Sequence, residues 1–319
     1  MKKSGKFQIQ KGMMQVCYAL APCALAAVYL FGWRALAVLA VTLGTGILVE
    51  SLFTSRQEKP VTSAVFVTCM ILALSLPPTI PLWMCAVGAA VGVGLGKMAF
   101  GGFGRNIFNP AMVGRCFLYV TFPIAMTNRW TDPLAAGAAG FARWSVPSDA
   151  LTGATPLVLL REGTGLRGAD LLLGFTGGSL GETSALLILL GGLYLLVKKV
   201  APWRIALSCL AGGIAVSVVA GTMGTAFIPG PLETLLSGSF LFGTMFVATE
   251  PISGAKTKEG QFVYGFLIGS VTVLLRGFSN FPEGIMFTVL MMNALVPLLD
   301  RGVKAAKKLS TASPREAVS

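Results

Sequence analysis

The sequence predicts an all-α polytopic membrane protein, and two observations carry that prediction: its composition and the spacing of its apolar runs. Of the 319 residues, 54% are hydrophobic and only 12% are charged. Soluble domains have about 25% charged residues, so half that share is typical of a chain that lies largely in lipid. Apolar runs close to the roughly 20 residues that a membrane-spanning helix needs recur throughout the sequence.

About ten transmembrane helices are predicted from these runs. The predicted spans are 13–31, 34–53, 61–77, 81–98, 107–126, 183–198, 204–226, 236–251, 261–276 and 284–300. They divide the chain into a first five-helix half (1–126), a long loop (127–182), a second five-helix half (183–300) and a basic tail (301–319). Because each half has an odd number of helices, the two halves are expected to be inverted repeats.

The basic residues predict the orientation of the spans. If the N-terminus is cytoplasmic, most of the 25 Lys and Arg residues fall in cytoplasmic segments, and no Lys falls in an outer segment. Membrane proteins collect basic residues in their cytoplasmic loops. Both termini are therefore expected in the cytoplasm, and the loop 127–182 is expected on the outer face. The basic tail is expected to contact anionic lipid.

Weak internal similarity favours the inverted repeat. Pro77 ends the third predicted span and Pro251 ends the eighth, and a Gly-Phe pair follows each at a nearly equal distance, at Gly102 and Gly277. In the predicted topology the two members of each pair face opposite sides of the membrane. Many transporters build a midplane site from inverted repeats whose helices are interrupted at matching positions.

Composition also excludes several kinds of site. The chain has no His, which excludes His-ligated haem, a His-bound metal and a His general base. Its six Cys residues include no C-x-x-C pair, so neither an iron–sulfur cluster built by this chain alone nor another metal site is expected. The net charge of +12 would suggest nucleic acid in a soluble protein, but basic cytoplasmic loops account for it, and no nucleic-acid partner is expected.

A short polar stretch in the loop 127–182 carries the most specific chemical signal. The segment Asp149-Ala150-Leu151-Thr152-Gly153-Ala154-Thr155 resembles the Asp-x-x-Ser/Thr-Gly-Ala-Thr signature at which flavin transferases attach FMN. The resemblance implies that Thr155 is joined to the phosphate of FMN as a phosphoester. It assigns the shaping of the attachment loop to Asp149, Thr152, Gly153 and Ala154. An ordinary turn before Pro156 is the alternative interpretation.

A glycine-rich run, Gly101-Gly102-Phe103-Gly104-Arg105-Asn106-Ile107-Phe108-Asn109-Pro110-Ala111, lies at the start of the fifth predicted span. Pro110 suits the first turn of a helix, with Asn109 as its cap. A helix-start turn alone would explain Asn109. The functional alternative is that the amides of Asn106 and Asn109 bind a planar ring such as a flavin.

Three charged residues near the membrane interior keep more than one interpretation. Glu250, in Thr249-Glu250-Pro251 at the inner end of the eighth span, is either a cation ligand or a solvated residue at a helix end. Arg115, within the fifth span, faces the bundle interior or a phosphate, or else extends to the membrane surface. Glu50, near the inner end of the second span, is similarly ambiguous.

Three separated segments match one known family in the same order: 101–111, 152–155 and 246–251. On these matches the chain is identified as a member of the family shared by the D subunit of Rnf complexes and the B subunit of the sodium-pumping NADH:quinone oxidoreductase. The short segment before the first span favours the D subunit. The resemblance also implies a fold similar to that of ammonium and urea channels.

Function, cofactors and partners follow from this resemblance as expectations. It implies a membrane electron-carrying subunit of the Rnf complex, which relays electrons between ferredoxin and NAD and couples this to Na⁺ or H⁺ translocation. Covalent FMN on Thr155 is expected, and Asn106 and Asn109 are candidates for a second, non-covalent flavin (riboflavin in the related quinone reductase). The expected partners are the other membrane and peripheral subunits, a flavin transferase for maturation, and the lipid of a bacterial or archaeal cytoplasmic membrane. The chain alone is not expected to be a complete enzyme.

Two other functions stay open at this point. The five-plus-five layout favours a channel or carrier without a redox role, although a His lining the substrate path is absent and dense midplane carboxylates are not evident. A structural scaffold for an ion-pumping complex is the third alternative. Bound flavin would distinguish the redox subunit from both.

Overall fold

The structure is a computed structural model, and it describes most of the chain outside the long loop and the termini. The described residues are 7–55, 57–127, 130, 131, 133, 139–145, 177–182, 184–225, 228–279 and 284–311. Most of these residues lie in helices, and the strands among them form one pair of two residues each, which agrees with the predicted all-α class.

Thirteen helices are numbered here in chain order, among the described residues. They are α1 (Lys11–Phe31), α2 (Trp33–Ser55), α3 (Ala64–Leu74), α4 (Leu82–Gly94), α5 (Pro110–Thr121), α6 (Pro123–Thr127), α7 (Ala139–Ala142), α8 (Ala185–Val197), α9 (Trp203–Thr222), α10 (Pro231–Leu236), α11 (Phe240–Phe242), α12 (Lys258–Phe278) and α13 (Ile285–Thr311). A 3₁₀ turn (Met98–Phe100) follows α4, and a π-helical segment (Gly243–Ala248) continues α11.

Six of these helices are long and apolar enough to cross a membrane, so the protein is a multi-pass membrane protein. They are α1, α2, α4 with the turn after it, α9, α12 and most of α13. Two further apolar helices, α3 and α8, are shorter. The ten-helix count itself stays a prediction, because two other predicted spans, the fifth and the eighth, form only short helices among the described residues.

Three predicted spans are shorter than expected, and the sequence explains why. The third ends at Leu74, just before Pro77-Pro78, and its 11 residues rise only about 16 Å at 1.5 Å per residue. The fifth ends at Thr121, because Pro123 starts a separate short helix. The eighth begins after Gly238, whose φ of 58° is left-handed, a conformation that glycine adopts readily. Average hydrophobicity over such a run stays high across a single Pro or Gly, so the run is predicted as one full span. The chain nevertheless folds there as a shorter helix.

Equivalent helix contacts occur within each of the two predicted halves. In the first, α4 packs against α2 and α5, and in the second, α12 packs in the same way against α9 and α13. The first helices of the halves, α1 and α8, contact each other, and so do the last, α5 and α13. The five-plus-five division itself stays a prediction. The inverted orientation and the likeness to ammonium and urea channels stay predictions.

Two ends of the chain differ in detail from the expectations. The last helix, α13, continues to Thr311, so residues 301–311 of the predicted tail are helical. Near the N-terminus, strand β1 (Phe7–Gln8) pairs in parallel with β2 (Val61–Thr62), a small exception to the all-α prediction. Ser63 reinforces the pair, because its backbone N–H donates to the Gln8 carbonyl at 3.0 Å.

Backbone-to-backbone contact joins α9 and α12. A Cβ atom placed on Gly269 would lie 1.9 Å from the Cys209 carbonyl oxygen, and one on Gly212 would lie 2.3 Å from the Phe266 carbonyl oxygen. Small residues let membrane helices approach in this way, and the approach supplies much of their packing energy. The α9–α12 seam is thus a fixed element of the second half.

The variant Gly269→Ala should therefore be clearly destabilised. Its methyl group forces the two helices apart, and overpacking of this kind costs about 1–3 kcal/mol. We expect a thermal unfolding midpoint several degrees below that of the parent protein in detergent. The matched control is Gly221→Ala in α9, where an added Cβ meets no atom within 4 Å. Equal midpoints for the two variants would contradict a tight seam.

Candidate functional site

The proposed flavin-attachment residues Asp149, Thr152, Gly153, Ala154 and Thr155 lie outside the described residues. The structure does describe both flanks of that segment. Before it, the Arg34 N–H donates to the Trp144 carbonyl at 2.7 Å. After it, the Gly181 N–H donates to the Leu74 carbonyl at 2.7 Å.

Both flanks are fastened at the same end of the helix bundle. The start of α2 and the end of α3 meet there, because the Arg34 guanidinium donates to three carbonyls just after α3, those of Pro78, Thr79 and Ile80, at 2.7–3.3 Å. Trp33 also holds the first flank, since its indole N–H donates to the Phe141 carbonyl at 2.8 Å. The segment with the attachment motif thus leaves and returns at one end of the first half.

A buried charge cluster ties the end of this loop to both halves. The Glu182 carboxylate lies 3.6 Å from the Arg115 guanidinium of α5, and Arg276 of α12 also acts on it electrostatically. Arg276 Nη1 donates to the carbonyls of Thr234 and Ser237 at 3.2 and 3.1 Å. Of the three alternatives for Arg115, the structure therefore supports the bundle interior.

Sequence reasoning missed two members of that cluster, Glu182 and Arg276. Both lie at the edges of predicted spans. Charged residues there are used to predict the orientation of the spans and are not examined as members of an ion pair. Charges at membrane depth usually pair with one another. A search for opposite charges at the same predicted depth would have found this pairing.

The glycine-rich run forms a tight turn into α5. Gly101, Gly102 and Gly104 have φ values of 101°, 93° and 84°, which few residues other than glycine adopt. Asn109 is the N-cap of α5, since its Oδ1 accepts from the backbone N–H groups of Ala111 and Met112 at 3.0 and 3.3 Å. The predicted cap at Asn109 and Pro110 is confirmed.

The two asparagines of this run connect the halves. The Asn109 N–H donates to Asn293 Oδ1 of α13 at 3.0 Å. Asn106 donates through Nδ2 to the Phe108 carbonyl at 3.1 Å, and its side chain also interacts with Glu250. Both asparagine side chains are buried. Their existing hydrogen bonds explain their positions without a ligand.

Asn293 is the residue of this network that sequence reasoning missed. Its Nδ2 donates to the Tyr264 hydroxyl at 2.8 Å and to the Ser253 carbonyl at 3.3 Å. Together with the Asn109 contact, these bonds join α5, α12 and the segment before α12. A polar amide inside an otherwise apolar span was the available signal, because such a group must find partners within the bundle.

Glu250 lies where the interrupted eighth span meets α5. Its Oε2 accepts from the Ser253 hydroxyl at 2.6 Å. The neighbouring Lys256 ammonium instead donates to the carbonyls of Pro251 and Ile252. A cavity of about 30 Å³ beside Glu250 is lined also by Thr68, Thr249 and Asn109 among others, which is enough room for a water molecule. Cation binding by Glu250 stays a prediction.

A second polar site surrounds Glu50. Its Oε1 accepts from the Thr62 N–H and hydroxyl at 2.9 and 2.6 Å, and its Oε2 lies 2.6 Å from the Lys97 ammonium. Lys97 also donates to the Thr62 hydroxyl at 2.8 Å. Glu50 is thus paired inside the protein, and Lys97, which the sequence places only among the cytoplasmic charges, is its partner.

A cavity of about 350 Å³ opens beside this ion pair. Its lining includes Glu50, Thr62, Gly101, Gly102 and Arg105. Pockets for small molecules have volumes of roughly 300–1,000 Å³ and a few converging polar groups. By volume, the cavity next to the glycine-rich turn is thus better suited to a small organic ligand than the one beside Glu250.

The cap at Asn109 leads to a stability prediction. Asn109→Ala removes the acceptor for two backbone N–H groups, and losing an N-cap costs about 1 kcal/mol. We expect a lower thermal unfolding midpoint for this variant and a value close to the parent for Asn109→Ser, which keeps a capping oxygen. If both variants unfold at the same temperature, the cap is not what Asn109 contributes.

Comparison with known proteins identifies similar chains across nearly the whole length. Residues 3–308 match the model of the NQR2, RnfD, RnfE family. The chain is 36% identical to the D subunit of the ion-translocating oxidoreductase complex of Stutzerimonas stutzeri, over 92% of this chain and 90% of that one. It is 35% identical to the D subunit of the proton-translocating ferredoxin:NAD(+) oxidoreductase complex of Clostridium ljungdahlii, over 94% and 91%.

A second group of relatives matches over a shorter part of their length. The B subunit of the Na(+)-translocating NADH-quinone reductase of Pseudomonas aeruginosa is 40% identical over 81% of this chain, which corresponds to 64% of the relative. Both kinds of subunit therefore resemble this chain, and the two D subunits are matched nearly end to end.

Proposed function

Because the chain belongs to the NQR2, RnfD, RnfE family, we propose that it is a membrane subunit of an ion-translocating oxidoreductase complex of the Rnf type. The observation that carries this proposal is the match to D subunits of two such complexes over more than nine-tenths of the chain. In such a complex, electrons would pass between ferredoxin and NAD, coupled to Na⁺ or H⁺ translocation. The other membrane and peripheral subunits would be its partners.

The specific part of the proposal is an FMN joined to the Thr155 hydroxyl as a phosphoester. The sequence Asp149-Ala150-Leu151-Thr152-Gly153-Ala154-Thr155 supports it, and so does the fastening of both flanks of the segment at one end of the bundle. FMN would supply the redox chemistry, and the protein would supply position and electrostatics. Thr155 would act as a tether. A flavin transferase would be needed for maturation.

Glu182 would hold the end of the attachment segment in place under this proposal. The segment returns to the bundle through Leu180 and Gly181, whose N–H groups donate to Leu76 and Leu74. Glu182, directly after them, is placed between Arg115 of the first half and Arg276 of the second. This arrangement would fix the point at which the segment re-enters the bundle.

A non-covalent riboflavin at Asn106 and Asn109 is the lesser of the two cofactor proposals. Both side chains would have to exchange hydrogen bonds that they already make, and the cavity beside Asn109 has only about 30 Å³. The cavity of about 350 Å³ that Gly101 and Gly102 help to line would accept such a ligand more readily by volume. A riboflavin bound in that cavity would reach Asn106 or Asn109 only by way of the turn 101–104.

Orientation and location complete the proposal. We place both termini in the cytoplasm and the attachment segment on the outer face of a bacterial or archaeal cytoplasmic membrane, on the distribution of Lys and Arg. Cysteine labelling with a membrane-impermeant reagent tests this at a residue introduced in the loop 146–176. Labelling from the cytoplasmic side alone would overturn the orientation.

Mass spectrometry tests the covalent flavin directly. The protein is co-expressed with a flavin transferase that is active on a second substrate, and its peptides are analysed. We expect the peptide with Thr155 to gain the mass of one FMN less one water. An unmodified Thr155 beside a modified second substrate would contradict the attachment, and the channel and scaffold alternatives would then be preferred.

A further inference from the structure

An apolar groove runs along the outer surface of the second half, between α9 and α12. It has a volume of about 470 Å³. Its walls include Leu207, Ala211, Phe262, Val263 and Phe266. The one hydroxyl in the lining, on Ser208, donates to the Ile205 and Gln261 carbonyls at 3.2 and 3.5 Å. The groove thus offers a ligand apolar contact and very little hydrogen bonding.

The groove is exposed on helices that lie in the membrane. Both α9 and α12 are long and apolar enough to span it. Phe262 and Phe266 are 40% and 44% exposed, while the small residues Gly265 and Gly269 face the seam with α9. The close backbone contact therefore leaves the two phenylalanine rings beside a shallow groove that is open at the protein surface.

Positive charge and a tryptophan mark one end of the groove. The Arg204 guanidinium lies 5.0 Å from the centre of the Trp203 ring, and that ring packs edge-on against Phe262 with centres 5.9 Å apart. Lys258 precedes Phe262 by one helical turn and so lies on the same face of α12. Among the described residues, no carboxylate is within 4.0 Å of either cation.

We propose that this groove binds an anionic phospholipid, with an acyl chain against Phe262 and Phe266 and the headgroup phosphate at Arg204 and Lys258. An apolar channel open to lipid fits a hydrocarbon chain. Two cations that no described carboxylate contacts fit a phosphate that carries net negative charge, and Trp is a residue typical of the membrane interface. The inference rests on α9 and α12 crossing the membrane and does not depend on the flavin.

Photo-crosslinking identifies what lies in the groove. The photoreactive residue p-benzoylphenylalanine replaces Phe266 in cells that make the whole complex, and the membranes are irradiated. We expect adducts of phospholipid mass, enriched in anionic headgroups relative to adducts formed when the same residue replaces Leu190, which is exposed on α8. An adduct with another polypeptide would overturn the proposal, because a partner subunit would then cover the groove.

Lipid titration tests the role of the two cations. The delipidated protein is titrated with phosphatidylglycerol or phosphatidylcholine and analysed by native mass spectrometry. We expect preference for phosphatidylglycerol, and an affinity lower by on the order of tenfold in the double variant Arg204→Gln/Lys258→Gln. The matched control is Lys59→Gln, an exposed cation in the loop after α2 and outside the basic tail. Equal binding of both lipids, or an equal loss in the control, would overturn the proposal.

A groove-filling variant keeps the test independent of the charges. Ala211→Leu places a larger side chain at an exposed position in the groove, and both cations stay in place. We expect this variant to fold and to lose phosphatidylglycerol binding. Undiminished binding would show that lipid attaches to the cations without using the groove, and would also overturn the proposal.

Discussion

The variant Thr155→Ala is expected to leave the complex assembled but without ferredoxin-dependent NAD⁺ reduction. Removing one hydroxyl eliminates the attachment point of the proposed FMN, and an electron relay that lacks one carrier does not conduct. The measurement is turnover by the purified complex, together with flavin fluorescence of this subunit in a denaturing gel. Both are expected to fall to background, while the subunit composition is unchanged.

The control for this variant is Thr164→Ala. Thr164 lies in the same loop and has no Gly-Ala pair before it. It should keep both turnover and gel fluorescence. If Thr155→Ala abolishes fluorescence but turnover stays intact, the covalent flavin is not on the electron path, and a scaffold role explains the subunit. If both signals survive, Thr155 is not the attachment residue.

The membrane class could be predicted from composition alone, because charge is so costly in lipid that its scarcity is diagnostic. Helix bounds were predicted well where apolar runs are continuous, as in α2, given as 34–53 and observed as Trp33–Ser55. They were too long where proline or glycine interrupts the run, as in the third span. A long apolar run indicates that a segment lies in lipid, whereas the position at which a helix ends depends on single residues.

The local part of the candidate site was likewise accessible from sequence, and its long-range part was not. Asn109 was predicted as a cap because the acceptor and the N–H groups that it binds lie within three residues of each other. Its bond to Asn293 joins residues 184 positions apart. No spacing rule connects them, so that contact required the packed helices. The pairing of Glu50 with Lys97, which are 47 positions apart, escaped for the same reason.

Lys97→Met is expected to be among the most destabilising single substitutions among the described residues. The Glu50 and Lys97 side chains are 1% and 2% exposed, and the variant leaves the Glu50 carboxylate buried without its cation. Removing one partner of a buried ion pair costs about 3–5 kcal/mol. We expect a large fall in the thermal unfolding midpoint in detergent, with much of the protein lost to aggregation during purification.

Two further variants separate lost pairing from lost packing. In Glu50→Gln/Lys97→Met the uncompensated charge is gone, and most of the stability should return, since replacing a whole buried pair is often nearly neutral. Lys307→Met removes the partner of Glu259, in a pair whose side chains are 57% and 52% exposed, and water and salt screen such a pair, so it should change little. Two outcomes would contradict this role of the pair: Lys97→Met as mild as Lys307→Met, or a double variant no more stable than Lys97→Met. In either case the Glu50–Lys97 pair does not hold β2 and the start of the glycine-rich turn against α2. The polar cavity of about 350 Å³ would then owe its shape to other contacts, those of the parallel strand pair first among them.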